Sequence, residues 1–331
     1  AEPVRALRFH TYGAPEVLHV EEVPEPRAPQ GDELLVQVAA SSINGTDLGL
    51  RRGDLKIATV GRMPFVPGFD ISGRVLACGP AVTAFSTGDR VVALQSHGGG
   101  GQGERILLRQ HRAAIAPTRP WLTTAAALPL AGLTALQALR GQARLHTRGE
   151  GARVLVIGAS GGIGAYGVQL ARLHGAHVTA LSSTSHLGWV KDLGAQEVLD
   201  RNCTPLSALA EGGDRFDVVL DAHGGADWAV LRRLLRKSGS AVSTRPISRD
   251  AILGILARRI PGPDDVLSGR RQMASVRTAP RSQDLTHLAA LVDREQLQIP
   301  LDRIYDLADA AAAHHHAETQ AHGKVVISIK S

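Results

Sequence analysis

Apolar and polar positions alternate along VRALRFH and VLHVEEV near the start of the chain. That period of two predicts half-buried strands. PEPRAPQGDE forms a Pro-rich connector, LLVQVAASSI predicts a longer strand, and ISGRVLACG, GDRVVALQSH and ERILLR follow, punctuated by Gly and Asp. Short strands at this spacing predict a barrel-like β unit over residues 1–122. One or two helical turns are expected from Asn44 to Arg52, and loops at Met63-Pro64 and Pro67-Gly68. From Trp121 to Arg140 the sequence is apolar nearly all round, which predicts a buried helix capped by Thr123 or Thr124.

Beyond Arg153 the period switches repeatedly between strand and helix. Strands are expected at Arg153 to Ile157, Val178 to Leu181, Val198-Leu199, Phe216 to Leu220, Gly239 to Thr244 and Met273 to Arg277. Helices are expected at Gly162 to His174, Leu187 to Leu193, Trp228 to Leu235 and Asp284 to Asp293. Right-handed crossovers make such a run a doubly wound parallel sheet, so the fold class is α/β with an added β-rich domain. The tail adds a strand, a helix and a closing strand, Val325 to Ile329, that has no place in the parallel sheet. The tail is therefore assigned to the first domain, giving 1–122 with 281–331 as one domain and 123–280 as the other.

The central stretch, Val154 to Leu170, joins an apolar run to Gly158-x-x-Gly161-x-x-Gly164 and then to a helical pattern. A strand, a tight glycine turn and a helix N-terminus hold a pyrophosphate, because backbone N–H groups and the positive helix end face the anion. Gly158, Ser160, Gly161, Gly162, Ile163 and Gly164 are the candidate contacts.

Composition narrows the classes. With 331 residues and 44% hydrophobic content, the chain can build two cored domains. The net charge of +6 comes from dispersed Arg doublets, and aromatics are only 3%, which argues against nucleic-acid binding. Cys78 and Cys203 form neither a disulfide framework nor a metal cluster, and the N-terminus has no apolar signal core. The longest apolar run, Ala125 to Leu139, is broken by Pro129 and too short for a membrane span. These features set the expectation of a cytoplasmic protein.

VPGFDISGRV, TGDRVVAL, ALPLAGLTALQAL, ASGGIGAYGVQLA, DLGAQEVLD, FDVVLDAHGG and HGKVVISI, in this order, resemble the zinc-independent quinone oxidoreductase and alkenal reductase branch of the medium-chain dehydrogenase/reductase superfamily. LQSHGGGG is similar to its chloroplast-envelope relatives. The resemblance implies a GroES-like domain, a Rossmann domain and a homodimer. Zinc alcohol dehydrogenases hold their metal with Cys, His and Cys. The matching positions here are Asn44, Phe69 and about Ala131, and the four-cysteine structural lobe is missing, so no metal is expected. His314-His315-His316 lies in an Ala-rich helical stretch whose consecutive residues point apart, and reads as a solvated face. Short-chain dehydrogenases are excluded, since none of Tyr12, Tyr166 and Tyr305 has a Lys four residues on.

NADPH is the expected cofactor. The strand HVTAL ends in Ser182-Ser183-Thr184-Ser185-His186, with no carboxylate in that run to repel a 2′-phosphate, so Ser182, Ser183 and His186 are candidate contacts. Thr134, Ala222 and Gly224 are expected near the nicotinamide half by fold placement. Without a metal to polarise an alcohol, the remaining chemistry is hydride addition to a quinone or an α,β-unsaturated carbonyl, with an acyl-thioester enoyl reductase as the alternative enzyme. Asn44 and Asp47 match the N-x-x-D of the reductases; Asn44 suits the cofactor ribose or the substrate carbonyl, and Asp47 also fits a helix cap. Many relatives carry Tyr or Lys two residues after that Asp, where this chain has Gly49. His97 offers a replacement proton donor, and the loss at Gly49 keeps a catalytically idle NADPH-binding sensor as the non-enzymatic alternative.

Overall fold

A computed structural model describes residues 2–59, 61–95, 98–213, 215–245 and 272–329. The chain divides into two compact units, residues 1–133 with 279–331 and residues 134–278. The sequence placed these boundaries at 122/123 and 280/281.

The first unit begins with an antiparallel pair, β1 (Val4–Arg8) and β2 (His19–Val23). Its main sheet is built from β3 (Glu33–Ser42), β4 (Asp70–Cys78), β5 (Arg90–Leu94), β6 (Arg105–Arg109) and β7 (Ala113–Ile115). β3 is followed directly by α1 (Gly45–Arg52). The expected helix from Trp121 to Arg140 is broken into α2 (Leu122–Ala125), α3 (Pro129–Leu136) and a π-helical turn at Gln137–Gln142. Pro129 lacks an N–H and has a fixed φ, so it ends one helix and starts the next at its first position.

The second unit is a six-stranded sheet made of β8 (Arg153–Ile157), β9 (His177–Ser182), β10 (Glu197–Asp200), β11 (Phe216–Asp221), β12 (Leu235–Ser243) and β13 (Gln272–Ser275). The spatial order is β10-β9-β8-β11-β12-β13, and every pairing is parallel. Its helices include α4 (Gly162–Leu173), α5 (Leu187–Asp192), α6 (Leu206–Glu211) and α7 (Trp228–Leu234). Val154 to Val156 have no exposed surface, as expected of a strand covered on both faces. β12 starts at Leu235, four residues before the expected Gly239, because Leu235 pairs with Phe216 ahead of a register shift. α4 lies close on the sheet: a Cβ on Gly167 would stand 2.6 Å from Leu220 Cδ2.

The chain then returns to the first unit through α8 (Ser282–Asp293), β14 (Leu301–Asp306), α9 (Ala310–Thr319) and β15 (Lys324–Ser328). β15 pairs antiparallel with β3, with Val326 opposite Ser42, and parallel with β14. The main sheet order is β14-β15-β3-β4-β5-β7, with β6 on β3.

Candidate functional site

In the second unit the β8–α4 turn is shaped by glycines that cannot carry a side chain. Gly158 has φ +72°, and a Cβ on Gly164 would stand 2.1 Å from the Gly158 carbonyl oxygen. Gly161 N–H donates to that same carbonyl at 3.0 Å, tightening the turn. Gly161 is the exposed N-cap of α4, and Ser160, Gly162 and Ile163 are half-buried beside it. The first-turn N–H groups of a helix have no intrahelical acceptor, so this rim offers donors and a positive dipole end to an anion.

At the end of β9, Ser183 Oγ and His186 Nδ1 are 2.8 Å apart. Ser182 is 2% exposed, and its hydroxyl has no partner among the described residues. The neighbouring strand adds what a reading along β9 alone left out. Asp200 pairs with Ser182 in register, its carboxylate accepts from Thr184 Oγ1 at 2.6 Å, and Asn202 Nδ2 donates to Thr184 Oγ1 at 2.9 Å. A carboxylate therefore does stand beside the serine run, and the hydrogen bonds it accepts from the Thr184 hydroxyl and from the Asn202 backbone N–H, the latter at 2.9 Å, lower its pKa. Arg201, exposed and one residue on, donates its N–H to Ser182 O at 2.9 Å and sets a cation against that charge.

The end of β11 is organised by Asp221, a residue the sequence reading did not single out. It is fully buried and accepts from Gly224 N–H at 2.9 Å, Ala226 N–H at 3.2 Å and Ser243 Oγ at 2.8 Å. Ala222 N–H donates to Ile157 O, and Gly224 takes φ +75°. Thr134, 3% exposed, shares a 2.8 Å hydrogen bond with the Thr278 hydroxyl. The glycine cradle, the open helix end and the unpartnered Ser182 hydroxyl fit a nicotinamide dinucleotide held through its pyrophosphate and adenosine ribose.

The first unit contains a separate buried polar cluster where β3 runs into α1. Asp47, with no exposed surface, accepts from Asn44 N–H at 2.9 Å and from Gly68 N–H at 2.7 Å. Burial pushes its pKa up to about 6, the two backbone hydrogen bonds oppose that rise, Asp70 adds to it and Lys324 reduces it. Asp47 thus caps α1 and ties it to Gly68, whose φ of +100° lets the 98–101 glycine run lie against residues 66–68. Asn44 and Asp47 form a capping box, the Asn44 side chain facing the Asp47 backbone N–H while the Asp47 carboxylate takes the Asn44 N–H. Asn44 Nδ2 donates to Asp70 Oδ2 at 2.9 Å and to Ser42 O at 3.4 Å, while Lys324 Nζ donates to Asn44 Oδ1. Asp70 also accepts from Ser42 Oγ and from Leu130 N–H at 2.6 Å, which fixes the first turn of α3. Lys324 is 4% exposed; burial lowers its pKa, and the Asp70 and Asp47 charges oppose that fall. Asp70 and Lys324 were missed in the sequence because they lie far along the chain from Asn44. His97 lies outside the described residues.

Zinc does not fit this cluster. The positions that would hold it carry the Asn44 amide, already bonded to an ammonium, the phenyl ring of Phe69 and the methyl group of Ala131. Among the described residues no group of three or more His, Cys, Asp or Glu side chains is placed to hold a metal. His314 is fully buried and not on the expected solvated face, whereas His315 is exposed. His316 is turned to Asp302 at 2.7 Å.

Comparison with known proteins matches residues 30–118 to the alcohol dehydrogenase GroES-like domain and residues 193–327 to the zinc-binding dehydrogenase family. A chloroplast envelope quinone oxidoreductase homolog of Arabidopsis thaliana is 33% identical over 98% of both chains. An Arabidopsis chloroplastic NADPH-dependent alkenal/one oxidoreductase is 33% identical over 72% of this chain and 62% of its own. The quinone oxidoreductase of Coxiella burnetii superposes with a TM-score of 0.86 at 26% identity, covering 99% of this chain and 100% of that one. The expected cytoplasmic placement does not stand. Relatives with these matches are named for chloroplasts, and another, from Bos taurus, 33% identical over 70% of this chain and 63% of its own, is named mitochondrial. Few cysteines and a polar N-terminus suit reducing organelle interiors equally well, so those features never distinguished the compartments. No helix among the described residues is long and apolar enough to cross a membrane.

Proposed function

We propose that this chain, which belongs to the medium-chain dehydrogenase/reductase superfamily and is an oxidoreductase, uses NADPH without zinc to reduce a quinone or an α,β-unsaturated carbonyl. The observation that carries the reading is the pairing of an intact dinucleotide cradle, Gly158 to Gly164, with a would-be metal position filled by Asn44, Phe69 and Ala131. Bound NADPH supplies a hydride to the carbon conjugated with the acceptor carbonyl.

The chain's own residues bind and orient. The α4 N-terminus and the glycine turn hold the pyrophosphate, Ser183 and His186 donate to the 2′-phosphate, and Arg201 balances Asp200 beside them. A relative named NADPH-dependent supports the same choice of cofactor. Gly224, held by Asp221, and Ala222, held by Ile157 O, let the backbone approach the cofactor's nicotinamide half, with Thr134 on that half. Asn44 provides a polar contact to the ligand, and Asp47 holds Asn44 in place through its backbone N–H. The active form is a homodimer, as the family resemblance implies.

A panel of quinones, alkenals and enoyl thioesters, with consumption of NADPH followed by its absorbance, tests the reading. Turnover of quinones or alkenals supports it. Turnover of enoyl thioesters alone would move the substrate class, and tight NADPH binding with no turnover of any acceptor would remove the catalytic claim.

A further inference from the structure

The antiparallel pairing of β4 with β5 sets Arg74 directly opposite Arg90. Like charges directly opposite each other destabilise a sheet. Arg74 Nη1 donates to Gly88 O at 3.0 Å, and Arg90 donates from Nη1 to Thr118 O at 3.2 Å and from Nη2 to Pro120 O at 2.8 Å. Those acceptors are neutral carbonyls, and neither arginine has a carboxylate in ion-pair reach among the described residues. A guanidinium has five N–H donors, so donors remain on both. The two arginines line an open groove of about 440 Å³ with Thr118, Arg119, Trp121 and Thr123, all of them in the first unit. Arg119 is balanced by Glu295, and Thr118 is pinned to Asp293 through its N–H at 2.7 Å and its hydroxyl at 2.8 Å. Through Arg90 the segment that carries Trp121 is tied to β5, beside the arginine pair. Trp121 is 83% exposed, the most exposed large hydrophobic side chain among the described residues, and its indole meets no other ring or cation among them.

We propose that this groove binds a small aromatic phosphate, a flat ring carrying a dianionic phosphate group. One arginine is enough for a carboxylate, whereas a phosphate near pH 7 carries almost two charges and three acceptor oxygens, which suits two facing guanidinium groups. The Trp121 indole gives the ring an apolar face to stack on. The groove volume is in the range that admits such a ligand. The bound anion also offsets the repulsion between Arg74 and Arg90. The inference does not depend on the reductase reading, since no residue of the groove belongs to the second unit.

Isothermal titration calorimetry of the full chain with phenyl phosphate and with inorganic phosphate tests the site. The wild type is expected to bind phenyl phosphate about tenfold more tightly than inorganic phosphate, the scale of one aromatic stack. Trp121→Ala should remove that advantage and leave the affinity for inorganic phosphate within about twofold of the wild type. Arg74→Ala should weaken both ligands by about tenfold or more, the scale of a lost charge-assisted hydrogen bond. Both side chains are exposed, so both variants should fold as the wild type does. Equal affinity of the wild type for the two ligands, or no binding of either, would overturn the proposal. Binding that both variants retain would overturn it too, and its loss in Ser183→Asp would then place the phosphate in the second unit. A change of oligomeric state in either variant, read by sedimentation, would assign the groove to a second copy of the chain and overturn the proposal as well.

Discussion

Replacing Gly164 by Ala sets two demands on the same turn against each other. The new Cβ would stand 2.1 Å from the Gly158 carbonyl oxygen and 2.8 Å from Ala159 Cα. Both contacts are backbone, so no side chain can swing away to make room. Relief requires moving the carbonyl by roughly 1 Å, enough to break the 3.0 Å bond it accepts from Gly161 N–H. Loss of that bond costs about 1 kcal/mol and the residual overpacking about 1–3 kcal/mol, a total of about 2–4 kcal/mol. For a unit of this size, that lowers the melting temperature by about 5–15 °C. Gly161→Ala in the same motif is the control. Its Cβ would find only the Gly158 oxygen, at 3.4 Å, and its φ of −79° suits any residue. Gly161→Ala should therefore melt within about 3 °C of the wild type, a change below about 1 kcal/mol. It should still weaken the dinucleotide, because a methyl on the exposed N-cap obstructs close backbone approach to the pyrophosphate. Thermal unfolding followed by circular dichroism, with and without NADPH, reads both effects. Equal melting temperatures for the two variants would refute the steric argument.

Ser183→Asp places a carboxylate at the proposed 2′-phosphate contact. At roughly 5 Å and an effective dielectric of about 40, repulsion of a phosphate is on the order of 2–3 kcal/mol, about a hundredfold in Kd for NADPH, with little change for NADH; equal loss of both would remove the assignment. His314 is buried beside Arg51, and burial with that neighbouring cation pushes its pKa down to about 3. The unfolded chain, with an ordinary pKa near 6.5, binds the proton more readily, so stability is full above about pH 6.5 and falls as pH drops toward 3, by about 2–3 kcal/mol at about pH 4.5. Urea unfolding of His314→Leu at about pH 7 and about pH 4.5 should show a smaller acid loss than the wild type, and parallel losses would contradict the burial argument. Chelators should leave turnover unchanged and zinc should not co-purify stoichiometrically; activity restored only by added zinc would reverse the reading of Asn44, Phe69 and Ala131.

The parts of the fold legible in the sequence were those governed by local period and turn chemistry. Val154 to Ile157 reads as a buried parallel strand because both faces are covered and the run is continuously apolar. Gly158, Gly161 and Gly164 read as a phosphate turn because their spacing is local. The helix from Trp121 to Arg140 was over-extended, since its apolar character persists across Pro129 while the backbone does not. The charged partners of Asn44 were not legible. Asp70 is 26 residues away and Lys324 is 280, and only the β3–β4 and β3–β15 pairings bring them together. Asp200 escaped notice for the same reason, because it meets the serine run through parallel strand register and not through sequence spacing.

The proposed hydride delivery from NADPH to a conjugated acceptor, without a metal, would leave an isotopic record in the product. NADPH carrying deuterium at the transferable C4 position, supplied with an alkenal or enone to chelator-treated protein, tests it directly, with the product read by mass spectrometry. A single deuterium on the carbon β to the carbonyl and a solvent proton on the α carbon are expected. A product without deuterium, or reduction that stops when metal is stripped, would contradict it.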